Sequence, residues 1–236
     1  MKSCRIFTSD FLTSTQSQSS IIHPPSNHLH SHPQNKTNPQ QPKAKQKTKK
    51  TMDEDPETTL QNLTTQLTTT PQAFPTCCLS LSTPLLSTLT TLLPKKPNYT
   101  LSIGSGSGLL EALLTHTTPT LQIEGVEVNP TVNRYIAEQD MHVVSGTWDL
   151  LSSRVPGAKA WMFVYPREPR LVERYIEGFG ETGMVEVILW LGPRADWGDY
   201  VGCFEGRGFG VERVVGVEGG LEGFEMLGVV RRVGSF

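Results

Sequence analysis

Three glycines in five residues, Gly104, Gly106 and Gly108, stand in the run YTLSIGSGSGLLEALL between a strand-like stretch and an apolar helical pattern. Glycine gives up side-chain contacts and costs conformational entropy, so such a cluster marks a backbone that turns sharply and lets another group come close. Three ligand classes use a glycine turn after a first strand. A triphosphate loop needs Gly-x-x-x-x-Gly-Lys-Ser/Thr, but here Gly108 is followed by Leu109 and there is no such lysine. A dinucleotide fold needs Gly-x-Gly-x-x-Gly to seat a pyrophosphate on a helix N-terminus, and Leu109 occupies the place of the third glycine. A short-chain dehydrogenase needs Tyr-x-x-x-Lys, and none of the five tyrosines has a lysine four residues on. Glu127 lies nineteen residues after Gly108, at the end of the next strand-like run, in which Glu124 reads as a surface residue. A carboxylate there accepts both ribose hydroxyls of a nucleoside ligand, so Glu127 supports a nucleoside without choosing which one.

A second group of polar residues falls after the later strands. Pro166-Arg167 and Pro193-Arg194 repeat the same pair at two strand ends. Adjacent strands would set both guanidinium groups on one rim, where arginine grips a carboxylate or phosphate in bidentate fashion. The competing expectation is that they pair with Glu168, Asp196 or Asp199 at helix starts. Tyr165 precedes the first pair and is a candidate general base or a candidate to orient a substrate. Its ordinary pKa near 10 makes it a poor base without help. Arg167, Arg194 and Tyr165 are the candidate catalytic residues, and no Ser/His/Asp set or metal-ligand cluster accompanies them.

These residues need a frame, and the apolar pattern supplies one. DPETTLQNLTTQL and STPLLSTLTTLLP read as two leading helices, the second with a hydroxyl cap, Pro84 in its first turn and a stop at Pro94. Strands and helices then alternate. YTLSI, LQIEGVEV, MHVVSG, AWMFVY and MVEVILWL read as strands. GLLEALLTH, NPTVNRYIAEQ, REPRLVERYIEGF and a glycine-weakened DWGDYVGCFEGR read as helices. GVERVVGVE and FEMLGVVRRV flank GGLEG as a hairpin. Such alternation predicts an α/β, doubly wound, mainly parallel seven-stranded sheet with helices on both faces and a C-terminal antiparallel hairpin.

From about Asp53 to the end, this layout with its Gly-x-Gly-x-Gly turn resembles the class I S-adenosylmethionine-dependent methyltransferases. The resemblance implies S-adenosyl-L-methionine as cofactor at Gly104, Gly106 and Gly108, with Glu127 on its ribose. It further implies Thr147 and Trp148, in VVSGTWDLL, beside the adenine, with stacking on Trp148. The chain departs from the family at three places. Ser102 stands where an acidic residue usually precedes the first glycine, Thr147 where Asp is common, and VYPREP where amino-methylating members carry Asn/Asp-Pro-Pro-Tyr. The last departure disfavours a nitrogen acceptor and leaves a small anionic or hydroxyl-bearing metabolite as the expected substrate. Two alternatives remain: a catalytically silent binding or scaffold protein of the same fold, and an NAD-binding oxidoreductase-type domain.

The formal charge of −2 conceals an asymmetry. Residues 1–51 carry seven Lys and one Arg against one Asp, while the remainder carries 13 basic against 22 acidic residues. The first part is rich in Ser, Thr, Gln, Asn, Pro and His, and is expected to be a disordered tail ahead of a domain at 53–236. The acidic domain disfavours nucleic acid, apart from weak contact by the basic run KAKQKTKK. No run of 18 or more apolar residues predicts a membrane span. The four cysteines lack metal-ligand spacing, and Cys77 and Cys78 read as buried thiols in a reducing compartment. The expected location is cytoplasmic, with the tail as the element that would redirect the chain to nucleus or mitochondrion.

Overall fold

A computed structural model of the chain describes residues 56–151 and 153–234. The expected tail and the domain start at residue 53 lie outside the described residues. Two helices lead, α1 (Pro56–Gln66) and α2 (Thr83–Leu92). The Ser82 hydroxyl caps α2 by accepting the Leu85 N–H at 3.1 Å and donates to Gly220 O at 2.6 Å. One side chain thus satisfies an orphan helix donor and fixes α2 to the far hairpin.

Then follow β1 (Thr100–Ile103), α3 (Leu109–Thr117), β2 (Ile123–Glu127), β3 (Met141–Val143), β4 (Ala160–Val164) and α4 (Pro169–Phe179). The chain continues with β5 (Val187–Pro193), α5 (Trp197–Val201), β6 (Phe209–Val215) and β7 (Glu225–Arg232). The seven strands form one sheet in the order β3-β2-β1-β4-β5-β7-β6. β1 to β5 pair in parallel, and β7 runs antiparallel to both of its neighbours.

Alternation along the central strands divides the core in two. Ala160, Met162, Leu189 and Leu191 pack under α1, α2 and α3, whereas Trp161, Phe163, Ile188 and Trp190 face α4 and α5. Tyr175 of α4 meets the edges of Trp161 and Phe163 at 5.8 and 5.7 Å between ring centres. A sheet covered on both faces reads as near-continuous apolar runs, which is why AWMFVY and MVEVILWL were so plain in sequence.

The structure corrects four expectations. NPTVNRYIAEQ is not an α-helix: Asn129 caps a single 3₁₀ turn at Pro130–Val132. The Asn133 side chain then takes both the N–H and the C=O of Ile136. The Arg134 and Tyr135 N–H groups go to Ser107 O at 3.0 and 3.2 Å, so donors a helix would have used are spent on the glycine turn. Glu124, which looked like a surface residue, is buried and bonds Arg154 through two nitrogens and His142 Nε2 at 2.8 Å. Burial alone would raise its pKa, but the hydrogen bonds from Arg154 and His142 hold it below the ordinary value. Cys78 is exposed and Cys77 only partly buried, so the adjacent pair is not a buried thiol pair. The hairpin joins β6 to β7 as expected, but through a longer connection containing a 3₁₀ turn at Val217–Gly219.

Candidate functional site

In an open α/β sheet, ligands lie beyond the carboxyl ends of the strands where the crossovers diverge. Here β1 feeds α3 on one face and its neighbour β4 feeds α4 on the other. The glycine turn sits at that divergence. Gly104, Gly106 and Gly108 have φ of +76°, +59° and +75°, which L side chains adopt only with strain. A Cβ at Gly104 or Gly106 would meet nothing within 4 Å, so both present bare backbone to open space. Gly108 is a packing glycine: a Cβ there would lie 2.8 Å from Ile136 Cδ1 and closer still to Cγ1.

The turn is pinned from three sides. Gly104 N–H donates to Val126 O at 2.8 Å, the Ser107 hydroxyl donates to Thr76 O at 2.8 Å, and Gly106 N–H donates to Glu127 Oε1 at 2.7 Å. Glu127 Oε2 accepts the Val128 N–H at 3.0 Å. Glu127 is therefore brought to the loop as expected, with both carboxylate oxygens already engaged by backbone.

A second carboxyl lies at the base of the same turn. Glu111, in the first helical turn of α3, is 2% exposed and accepts the Ser102 hydroxyl at 2.5 Å. Burial, with a further push from the Glu127 charge, raises its pKa to about 7 against the opposing Ser102 bond. Sequence reasoning missed it, although a charged residue inside LLEALL was the available signal.

At the end of β4, Tyr165 takes φ +50°. Its hydroxyl donates to Glu225 Oε1 at 2.7 Å, and its N–H to Leu191 O at 2.7 Å. Glu225 is fully buried and also accepts the N–H groups of Ser80 and Glu222 at 3.1 and 3.3 Å. Burial first, then Glu225, raise the Tyr165 pKa well above its usual value, so this phenol holds its proton and does not act as a base. Through Ser80 and Thr76, the segment between α1 and α2 is fastened across the strand ends. Cys77 within it has its thiol pushed up to about 12 by burial and by Glu111.

Arg167 and Arg194 do follow paired strands, but among the described residues no partner is bonded to both. Arg167 is exposed and makes no ion pair or hydrogen bond among the described residues. Arg194 turns toward the β6–β7 connection: its Nη2 lies 3.5 Å from Glu225 O and beside Gly216. Neither pairs with Glu168, Asp196 or Asp199. In the loop after β3, Thr147 is exposed and Trp148 is 66% exposed. The neighbouring Asp149 accepts the Ser145 and Leu151 N–H groups, and the Ser145 bond leads in lowering its pKa. Among the described residues no group of three or more His, Cys, Asp or Glu could hold a metal, and no helix is long and apolar enough to cross a membrane.

No protein-family profile and no curated protein sequence matches this chain. Among solved structures it is similar to the mitomycin 7-O-methyltransferase MmcR, at 15% identity and a TM-score of 0.46, over 63% of this chain and 53% of that one. It thus spans about half the length of that protein. It is also similar to the methyltransferase domain of a bacterial Hen1 (17%, TM-score 0.47, 62% and 96% covered). Human N-acetylserotonin methyltransferase in complex with S-adenosylmethionine gives 15%, a TM-score of 0.45, and 63% and 50% coverage. The architecture is decided by the sheet rather than by these likenesses. Five parallel strands in the order 3-2-1-4-5, extended by an antiparallel seventh strand lying inside the sixth, make the class I S-adenosylmethionine-dependent methyltransferase fold.

Proposed function

We propose that this chain is an S-adenosylmethionine-dependent methyltransferase acting on a small anionic or hydroxyl-bearing metabolite. The observation that carries the reading is the bare backbone of Gly104 and Gly106 at the strand divergence, bracketed by the carboxyl groups of Glu127 and Glu111. Two acids around one loop suit a cationic ligand and oppose a diphosphate, which separates S-adenosylmethionine from NAD and ATP. Bound there, the cofactor supplies an electrophilic sulfonium methyl group. Gly104, Gly106 and Gly108 would seat its amino-acid and ribose portions. Glu127 would exchange its bond to Gly106 for the ribose hydroxyls, and Thr147 and Trp148 would border the adenine.

The acceptor would lie over the ends of β4 and β5. Arg167, with no partner among the described residues, is the residue to grip an acidic substrate group, and Arg194 borders the same edge farther out. Tyr165, proton held by Glu225, orients and does not deprotonate. Methyl transfer from a sulfonium is governed by alignment, so the absence of a base is compatible with turnover of an acceptor that arrives ionised. The sealed Tyr165–Glu225 pair also favours a second reading, a catalytically silent protein of this fold that binds the cofactor.

Titration calorimetry with S-adenosylmethionine, NAD and ATP is the first test, and binding of NAD alone would sink the assignment. Labelled methyl donor in cell extract is the second. Label in a small molecule that is retained with Tyr165→Phe and lost with Arg167→Ala supports the enzyme. Tight cofactor binding with no labelled product supports the silent protein.

A further inference from the structure

Glu111 lends the turn its second acid, yet no step of the proposed chemistry is assigned to it. It sits three residues after Gly108, and its bond to Ser102, two residues before Gly104, clasps the glycine turn at its base. Among the described residues that bond is the one hydrogen bond its side chain receives from another residue, which leaves acceptor capacity unused in a buried site. The groups facing it bring no cation. Ser102 approaches from β1, Glu127 from the end of β2, and Cys77 from the segment before α2. Behind α3 it borders a groove of about 590 Å³ that Glu57, Lys96, His116 and Asp140 also line. There Glu57 pairs with His116 at 3.3 Å and Lys96 Nζ donates to Pro119 O at 2.8 Å, so both basic groups are engaged elsewhere.

We propose that Glu111 is the acidic half of a cation subsite under the glycine turn, and that filling the turn with a positively charged ligand releases a proton from its side chain. The proposal rests on the reading of the loop as an S-adenosylmethionine site. An ionised carboxylate buried without a counter-charge is unstable, so the free protein holds Glu111 partly protonated near neutrality. An ammonium or sulfonium lodged above it supplies the missing charge and favours the ionised form. The proton passes to the buffer. Cys77, with its thiol near 12, stays protonated throughout and does not contribute.

The test is calorimetry of S-adenosylmethionine binding to the full-length chain, in buffers of different ionisation enthalpy and across pH 6 to 8. With Glu111 titrating at about 7, wild type should release about half a proton at pH 7 and bind about tenfold more tightly at pH 8 than at pH 6. The ligand's own amino group titrates near this range, so Glu111→Gln supplies the baseline: its buffer dependence should reflect the ligand alone. Ser102→Ala removes a bond that favours the ionised form, so its proton release at pH 7 should rise above half. Binding by wild type with the same buffer and pH dependence as Glu111→Gln would overturn the proposal and leave the methyltransferase reading standing. No binding by wild type at any pH would overturn both.

Discussion

Replacing Glu111 by Gln keeps the shape and the acceptor for Ser102 but removes an ionisable group from a helix face that is otherwise Leu and Ala. In the unfolded chain this carboxyl titrates at its ordinary value of 4.5, and in the folded chain at about 7. The folded state therefore binds the proton more tightly. Below pH 4.5 both states are protonated and Glu111 costs nothing. As pH rises from 4.5 through 7 the native protein is progressively penalised, because it must ionise a buried group that the unfolded chain ionises freely. The gap between the two values, at about 1.4 kcal/mol per pH unit, puts the full penalty above pH 8 at between about 3 and 4 kcal/mol. Urea unfolding of the full-length wild type and of Glu111→Gln should give similar stabilities at pH 5. At pH 8 the variant should be the more stable by about 3 kcal/mol, or about 6–12 °C in melting temperature for a domain of this size. Every other titration is common to both proteins and cancels. A difference that stays flat from pH 5 to 8, or a variant that is the weaker one at pH 8, would refute the reasoning. The same substitution is expected to weaken cofactor binding, so stability and function pull Glu111 in opposite directions.

Glu127→Ala should weaken S-adenosylmethionine binding by about 1–3 kcal/mol in calorimetry, the usual cost of unpairing a charge-assisted hydrogen bond. Gly104→Ala, with a left-handed backbone but open space around its Cβ, should cost about 1–2 kcal/mol in thermal unfolding. Gly108→Ala should cost about 1–3 kcal/mol more, because Ile136 occupies the place of the methyl group. Glu124→Gln should lower stability by about 1–3 kcal/mol at pH 7 by breaking the contacts to Arg154 and His142. Because the Glu124 pKa is depressed, that cost should be present in full above pH 4.5 and fade as the pH falls below it.

Local signals in the sequence were reliable wherever local physics decides. The cap and proline of α2, the glycines after β1 and the apolar strands β4 and β5 could all be read from composition and period. The misreadings share a cause. NPTVNRYIAEQ carries a helix cap and a proline in the right place, yet its backbone donors find the Asn133 side chain within the segment and Ser107, a partner that only the folded glycine turn brings near. Glu124 alternates as a surface residue would on a two-faced strand, but Arg154, thirty residues on, comes to meet it and makes its burial tolerable. Arg167 and Arg194 do follow neighbouring strands, as the repeated pair implies, while the direction of Arg194 depends on the β6–β7 connection, about which two dipeptides carry no information.

Ser102 shows the same limit from the opposite side. In sequence it stands where the resemblance implies an acid before the first glycine. In the folded chain its hydroxyl donates to the carboxyl of Glu111, nine residues later and on a helix instead of a strand. An acid therefore stands at the base of the turn, supplied by the helix and not by the strand. Its position has a consequence. A carboxylate on a strand end beside solvent ionises at ordinary pH, whereas one lowered from a helix into the core is held near its midpoint at neutrality. Where the resemblance implies a fixed charge on the strand, this fold holds a titrating one on the helix.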